Sequence, residues 1–158
     1  MINIRQELEV AKKASEIASA LLIDNKDNIN KILSNEGRDV KLKADLESEK
    51  VIKEYLLANS NFPILAEESG ANQDLGNSFW VVDPLDGTSN YSRDFPMCCI
   101  SIALIHENEI TLGVINDFNR GSLYEGSIES GAKLNDADIF VSSINDKSKA
   151  TLATGLPA

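Results

Sequence analysis

Two short stretches of the chain concentrate acidic oxygens beside turns. Ala66-Glu67-Glu68-Ser69-Gly70 closes one apolar run, and Trp80-Val81-Val82-Asp83-Pro84-Leu85-Asp86-Gly87-Thr88 closes another. In the second, Pro84 fixes its own φ and lacks an N–H, so a strand delivering Asp83 is expected to end there. A tight turn through Leu85 then brings Asp86 back beside Asp83, and Gly87 frees the backbone to approach a ligand. Carboxylates at i and i+3, with the Leu85 carbonyl between them, are hard oxygen ligands of the kind Mg²⁺ takes. Exposed N–H groups at Gly87 and Thr88, opening a short helix over Thr88–Tyr91, suit a phosphate oxygen. If the two strands are neighbours, four acidic groups collect at one sheet edge, a costly arrangement that divalent cations relieve. Two metals about 4 Å apart are a recurrent solution for phosphoryl hydrolysis, one activating a water and the other stabilising the leaving oxygen. An Asp-Gly pair alone is ordinarily a turn, and Glu-Glu a solvated strand end. Their coincidence, with Pro84 and Thr88 in frame, is what points to chemistry.

The elements that must position these residues are legible from hydrophobic period. Ile4, Leu8, Ala11, Ala18 and Leu22 fall at helical spacing, so the first helix is expected over Ile4–Leu22, followed by a polar break at Asp24–Asn30. A second helix is expected from about Asp45 to Ala58, after the Ser34–Gly37 stretch, burying Leu46, Ile52, Tyr55 and Leu56. Asp45 is a candidate N-cap for it. From Asn61 onward the pattern changes to short β segments: Ile64–Ala66, Phe79–Val82, and a hairpin of Cys98–Ile105 and Ile110–Ile115 around His106–Glu109. Leu123–Glu125, Ile139–Val141 and Thr151–Ala153 are weaker strand candidates. Helices first and strands after imply an α+β architecture, two helices packed on a mostly antiparallel sheet.

Composition narrows the function. The 158 residues fit one domain, and a 42% hydrophobic content can build its core. Residues 1–22 contain six charged side chains and no run nears the roughly 18 apolar residues of a membrane span, so a cytoplasmic protein with no membrane partner is expected. The net charge of −10 arises entirely after residue 53, which argues against nucleic acid as a partner. Such a surface would repel an anionic ligand unless cations bind first. Cys98 and Cys99 are adjacent in an apolar run, point to opposite faces of a strand, and are poorly placed to bridge or share a metal; core filling is expected. His106 is expected as a solvent-facing turn residue, away from the acidic cluster. Neither Gly-x-x-x-x-Gly-Lys-Ser/Thr nor Gly-x-Gly-x-x-Gly occurs, which argues against nucleotide motors and dinucleotide enzymes.

Glu67-Glu68-Ser69, then Asp83-Pro84-Leu85-Asp86-Gly87-Thr88-Ser89-Asn90-Tyr91 and Phe95-Pro96, resemble the signature of the inositol monophosphatase family. Weaker similarity continues through Gly113-Val114-Ile115 and Gly131-Ala132-Lys133-Leu134-Asn135. The resemblance implies a Mg²⁺-dependent, lithium-sensitive phosphomonoesterase that hydrolyses a small sugar or polyol phosphate, built as a homodimer. It implies metal ligation by Glu67, Asp83, the Leu85 carbonyl and Asp86. It implies phosphate binding at Asp86, Gly87, Thr88 and Ser89, with Thr88, Asp45 and Glu67 serving catalysis around the attacking water. Capping by Asp45 does not exclude that role. The family's usual Val-Thr ahead of this Asp is replaced around Lys41-Leu42, and its later Trp-Asp motif does not occur among residues 1–158, where Trp80 is the only tryptophan. Residues 1–158 are therefore expected to form the N-terminal metal- and phosphate-binding domain of the layered sugar-phosphatase fold, with the C-terminal domain absent.

Two other functions compete with this reading. A haloacid dehalogenase phosphatase has Asp-x-Asp-Gly-Thr, but here the spacing is Asp-x-x-Asp-Gly-Thr and Leu85 stands where the nucleophile would be. The second is a catalytically silent metal-, phosphate- or partner-binding fragment, which the missing acidic ligand favours.

Overall fold

The computed structural model describes residues 2–36 and 39–151. Helix α1 (Ile4–Asp24) starts where the Asn3 side chain accepts the Gln6 N–H at 3.1 Å, an N-cap. It buries Ile4, Leu8, Ala11, Ser15, Ala18 and Leu22, one continuous stripe at helical spacing. The polar break holds a single turn, α2 (Lys26–Ile29), whose Ile29 is buried. Strands β1 (Ile32–Glu36) and β2 (Asp39–Leu42) form an antiparallel hairpin. Neither was expected: Ile32 and Leu33 are exposed and stand among polar neighbours, so they carry no core-facing alternation.

Helix α3 runs from Lys43 to Asn59, two residues earlier than expected. Asp45 is accordingly not its N-cap. Leu42 holds that position, and Asp45, three residues in, reaches back to accept the Leu42 N–H at 2.7 Å. That bond is the acidic half of a capping box, without the hydroxyl half that Leu42 cannot supply. The buried face is Ala44, Asp45, Ser48, Glu49, Ile52 and Leu56. Leu46, expected inside, is 42% exposed because it lies one position off that stripe, and Tyr55 is only half-buried.

The remaining strands are β3 (Ile64–Ala66), β4 (Gly70–Ala71), β5 (Phe79–Asp86), β6 (Cys99–His106), β7 (Glu109–Asp117), β8 (Ser122–Ser127), β9 (Gly131–Leu134) and β10 (Ala137–Asp138). They form one sheet in the order β10-β9-β8-β7-β6-β5-β3-β4, with helix α4 (Thr88–Tyr91) between β5 and β6. Every pairing is antiparallel except that of β3 with β5. The mostly antiparallel α+β layer is therefore present. The β6–β7 turn is made by Glu107 and Asn108 at φ 52° and 66°, the left-handed pair a two-residue hairpin requires. Ile139–Val141 is not a strand: Ile139 donates its N–H to the Ala132 carbonyl of β9 at 3.0 Å, but Phe140 is 89% and Val141 96% exposed, and the ladder goes no further. Thr151 has no regular structure, and Leu152 and Ala153 lie outside the described residues.

Alternation puts Trp80, Val82, Ile100, Ile102, Leu104, Leu112 and Val114 on the face that α1 and α3 cover. Each fully buried aliphatic of this set contributes about 1.5–3 kcal/mol. Tyr91 anchors α4 in this layer, donating its hydroxyl to the Leu22 carbonyl at 2.6 Å. Among the described residues no helix is long and apolar enough to cross a membrane.

One buried group works against stability. Glu7 Oε2 has no hydrogen-bond partner among the described residues, and burial pushes the Glu7 pKa above its ordinary 4.5, against a hydrogen bond with Ser60. A carboxylate with a raised folded-state pKa loses stabilising free energy as pH rises above its unfolded value. Glu7→Gln should therefore raise the melting temperature at pH 7 by roughly 2 °C, less than 1 kcal/mol. The gain should disappear as pH falls towards 4.5. Thermal melts at both pH values check this, and an unstabilised variant at pH 7 refutes it.

Candidate active site

Strand β3 lies parallel to β5, with Ala66 opposite Val82, so the two chains deliver Glu67 and Asp83 to the same edge. The Glu67 N–H continues the ladder, donating to the Val82 carbonyl at 3.1 Å. Pro84 does not end β5. Asp83 pairs with Ser101 and Asp86 with Cys99, so three steps on β5 oppose two on β6, a bulge with one extra residue. Pro84 is tolerated because a bulge asks no ladder N–H of it. The Asp83 carboxylate accepts the Leu85 N–H at 3.2 Å, closing the local turn.

The Glu67 and Asp83 carboxyl groups are hydrogen-bonded to each other. Glu67 as a whole residue is exposed, yet partial burial of its carboxyl, then the charge of Asp83, push its pKa up to about 7. Burial first, with the charge of Asp86, raises Asp83 as well. Two acids that would both ionise in water thus hold a proton above the ordinary carboxylate range, and that proton belongs to the pair.

Asp86 stands across the bulge from this pair. Its exposed carboxylate lies 3.8 Å from the Cys99 thiol, whose pKa burial and Asp86 push up to about 12. Cys99 therefore stays a protonated thiol, and Cys98 is buried and pairs with Asn119 at 3.1 Å instead. Glu68, the fourth acid, forms an ion pair with Lys41, and its charge still adds to the raising of Glu67, Asp83 and Asp45. Among the described residues no three His, Cys, Asp or Glu side chains converge closely enough to ligate one ion as they stand. What the fold gathers is a carboxylate pair, with Asp86 one bulge away on an exposed, rotatable side chain. None of Glu67, Asp83 and Asp86 forms an ion pair with Lys or Arg among the described residues. All-oxygen donors, mutual repulsion and no countercharge among the described residues are the properties of a hard divalent cation site.

Asp45 and Thr88 meet from opposite sides. Buried Asp45 accepts the Thr88 hydroxyl at 2.7 Å, while the Leu85 carbonyl lies 3.0 Å from the same hydroxyl. A single O–H serves one acceptor at a time, which leaves Thr88 Oγ1 a free lone pair. Burial raises the Asp45 pKa against the bonds from Thr88 and Leu42. Gly87 sits at φ 86°, and α4 begins directly after it. In that first turn the Asn90 N–H donates to the Gly87 carbonyl at 2.8 Å, and those of Thr88 and Ser89 are the ones a helix leaves without internal partners. The Ser89 hydroxyl is held by the Arg93 guanidinium, which also donates to the Ser89 carbonyl at 3.1 Å.

His106 lies at the far end of β6 and is not simply solvent-facing. Its ring packs edge-on to Phe62 at 5.8 Å and shares a hydrogen bond with the Ser78 hydroxyl at 2.9 Å. Ser48 and Glu49 also reach the site and were missed. Their spacing from Asp45, one helical turn on, was the available signal.

Helices on one face of a mostly antiparallel sheet, with acids at the β3–β5 edge, place the chain in the layered α+β class. Its structural neighbours are inositol monophosphatase folds: the structure of inositol monophosphatase from Anabaena (Nostoc) sp. PCC 7120 superposes with a TM-score of 0.76 at 31% identity, covering 90% of this chain and 52% of that one. The inositol monophosphatase family model matches residues 3–158, and the chain belongs to that family. It is 35% identical to an inositol-1-monophosphatase of Synechocystis sp. over 97% of this chain and 54% of that protein. It is 39% identical to a protein named Nus factor SuhB of Xylella fastidiosa over 94% of this chain and 54% of that protein. The chain thus spans about half the length of the curated relatives it matches.

Proposed function

We propose that the chain carries the metal- and phosphate-binding half of a Mg²⁺-dependent phosphomonoesterase acting on a small sugar or polyol phosphate. The observation that carries this reading is the placement of Glu67 and Asp83 together at the β3–β5 edge, beside the bulge that bears Asp86 and leads to Gly87. Glu67, Asp83, the Leu85 carbonyl and Asp86 are the groups that would hold the metal. Bound there, Mg²⁺ supplies Lewis-acid charge neutralisation and lowers the pKa of an adjacent water. The chain's own residues supply orientation. Thr88 donates its hydrogen bond to Asp45, so its free lone pair is open to accept one from a water. Asp45, made more basic by burial, is the sink to which the proton passes through Thr88. The first-turn N–H groups of α4 would receive phosphate oxygens. Nucleic acid stays outside the proposal on charge grounds, since a chain of net −10 gains little from phosphate neutralisation.

A silent metal-binding fragment is the second reading, favoured by the absence of a third converging carboxylate among the described residues. Phosphate release from inositol 1-phosphate, with and without Mg²⁺, separates the two. Metal-dependent turnover that falls about 100-fold or more in Thr88→Ala supports the hydrolase. Tight Mg²⁺ binding without turnover supports the silent fragment.

A further inference from the structure

Helix α3 shows a change of character along a single face. Ile52 and Leu56 on that face are apolar and buried, as core packing asks. One turn earlier the same face carries Asp45, Ser48 and Glu49, also buried. Each reaches a different segment of the acidic edge. Asp45 takes the Thr88 hydroxyl, the Ser48 hydroxyl donates to the Pro84 carbonyl at 2.8 Å, and Glu49 accepts the Glu68 N–H at 2.8 Å. Leaving water is expensive for a carboxylate, and Glu49 is only 4% exposed. Its compensation is the Glu68 amide and Lys53, whose ammonium lies 3.5 Å from Glu49 and 2.6 Å from the Ser69 hydroxyl. A helix packing against a sheet for stability alone gains more from apolar residues here. The polar turn coincides with the metal-ligand edge and ends where the edge ends.

We propose that Glu49, assisted by Ser48, is a positioning residue for the metal ligands, acting through the Glu68 N–H and the Pro84 carbonyl. The inference rests on the metal-binding reading above. Glu49 and Lys53 grip Glu68 and Ser69 on either side, while Lys41 pairs with the Glu68 carboxylate. The hold on the Glu68 backbone fixes the strand end that presents Glu67 opposite Asp83. Ser48 clamps the bulge at Pro84, which sets the step from Asp83 to Asp86.

The test is Mn²⁺ affinity, read by electron paramagnetic resonance on the whole chain, beside thermal melts without metal. Outer partners of metal ligands typically contribute 10–100-fold in affinity, so Glu49→Ala should weaken Mn²⁺ binding by about that factor. Glu49→Gln, which keeps an oxygen for the Glu68 N–H, should recover most of the loss. Ser48→Ala should weaken binding less and additively. A purely structural role predicts the reverse pattern: lower metal-free melting with unchanged affinity, and that result overturns the proposal. Equal losses in Glu49→Ala and Glu49→Gln also overturn it, because charge and not the amide contact would then matter. Asp83→Asn is the control for the underlying reading. If it leaves Mn²⁺ binding intact, the metal site itself is wrong and the positioning role falls with it. If it abolishes binding while Glu49→Ala does not, only the positioning role falls.

Discussion

Asp83→Asn should abolish tight divalent-cation binding and, at the same time, make the metal-free protein more stable. The opposed signs are the signature of the site. Without a cation, Asp83 and Glu67 face each other across the β3–β5 edge, and burial first, then the charge of Asp83, pushes the Glu67 pKa up to about 7. An amide at 83 removes one charge of the pair, so the metal-free melting temperature should rise, most clearly above pH 7 where both acids would otherwise ionise. The cation side is harsher. A lost ligand should cost more than the 10–100-fold that an outer partner costs, so affinity should fall by over about 100-fold. The proton makes a further statement about pH. Glu67 has a folded-state pKa above its ordinary 4.5, so its contribution to metal-free stability is present below that value and lost as pH climbs to about 7. Metal competes with the same proton, so wild-type affinity should rise across that window and flatten above it. Calorimetric titration from pH 5 to 8, with melts of both proteins, measures all of this. A destabilised metal-free Asp83→Asn protein, or pH-independent binding, contradicts the shared-proton picture.

Much of this site was legible because its parts are local. Asp83, Pro84, Asp86, Gly87 and Thr88 are contiguous, and the turn chemistry of proline and glycine is written in their types. The β6–β7 hairpin was equally visible, since two strong apolar runs flank a polar turn. What escaped depends on partners distant in sequence. Pro84 reads locally as a strand end, but the β6 register converts the stop into a bulge. Asp45 reads as a cap, but helix α3 gains an extra start because the unforeseen β1–β2 hairpin delivers Leu42 fully buried at its N-terminus. Glu68 read as one of four acids at the edge, and only the fold sets it beside Lys41. Ser48 and Glu49 look like surface residues of an amphipathic helix until β3 and β5 arrive against them. The weak strand at Ile139–Val141 failed for the complementary reason. Its β-branched and aromatic composition was right, but the pairing with β9 stops at the Ile139 N–H, and Phe140 and Val141 stand exposed beyond it.

Gly87→Ala should be the most destabilising single-methyl change at the site. Gly87 joins the bulge to α4 at φ 86°, in the left-handed region, where a non-glycine residue costs about 1–2 kcal/mol. Space is the second obstacle. A Cβ there would lie 2.6 Å from the Met97 carbonyl oxygen and 3.1 Å from the Cys98 Cα and Cβ. These are backbone-anchored atoms, and they cannot swing aside. The Asn90 amide donates to that same Met97 carbonyl at 2.7 Å, so pushing it away breaks a bond that ties α4 to the following loop. Overpacking of this kind typically adds 1–3 kcal/mol, for an expected total of about 2–5 kcal/mol. Gly121 isolates the steric part. Its φ of 62° is also left-handed, but an added Cβ meets nothing within 4 Å, so Gly121→Ala should cost only the conformational share of about 1–2 kcal/mol. The functional consequence differs too. Displacing α4 separates Thr88 from Asp45, whose 2.7 Å contact crosses from α4 to α3. Gly87→Ala should therefore lose phosphate binding while keeping cation binding through Glu67 and Asp83, whereas Gly121→Ala keeps both. Urea unfolding of the two variants, with phosphate and Mg²⁺ titrations, decides this. Equal destabilisation would show that the close approach to Met97 is not what demands glycine at 87.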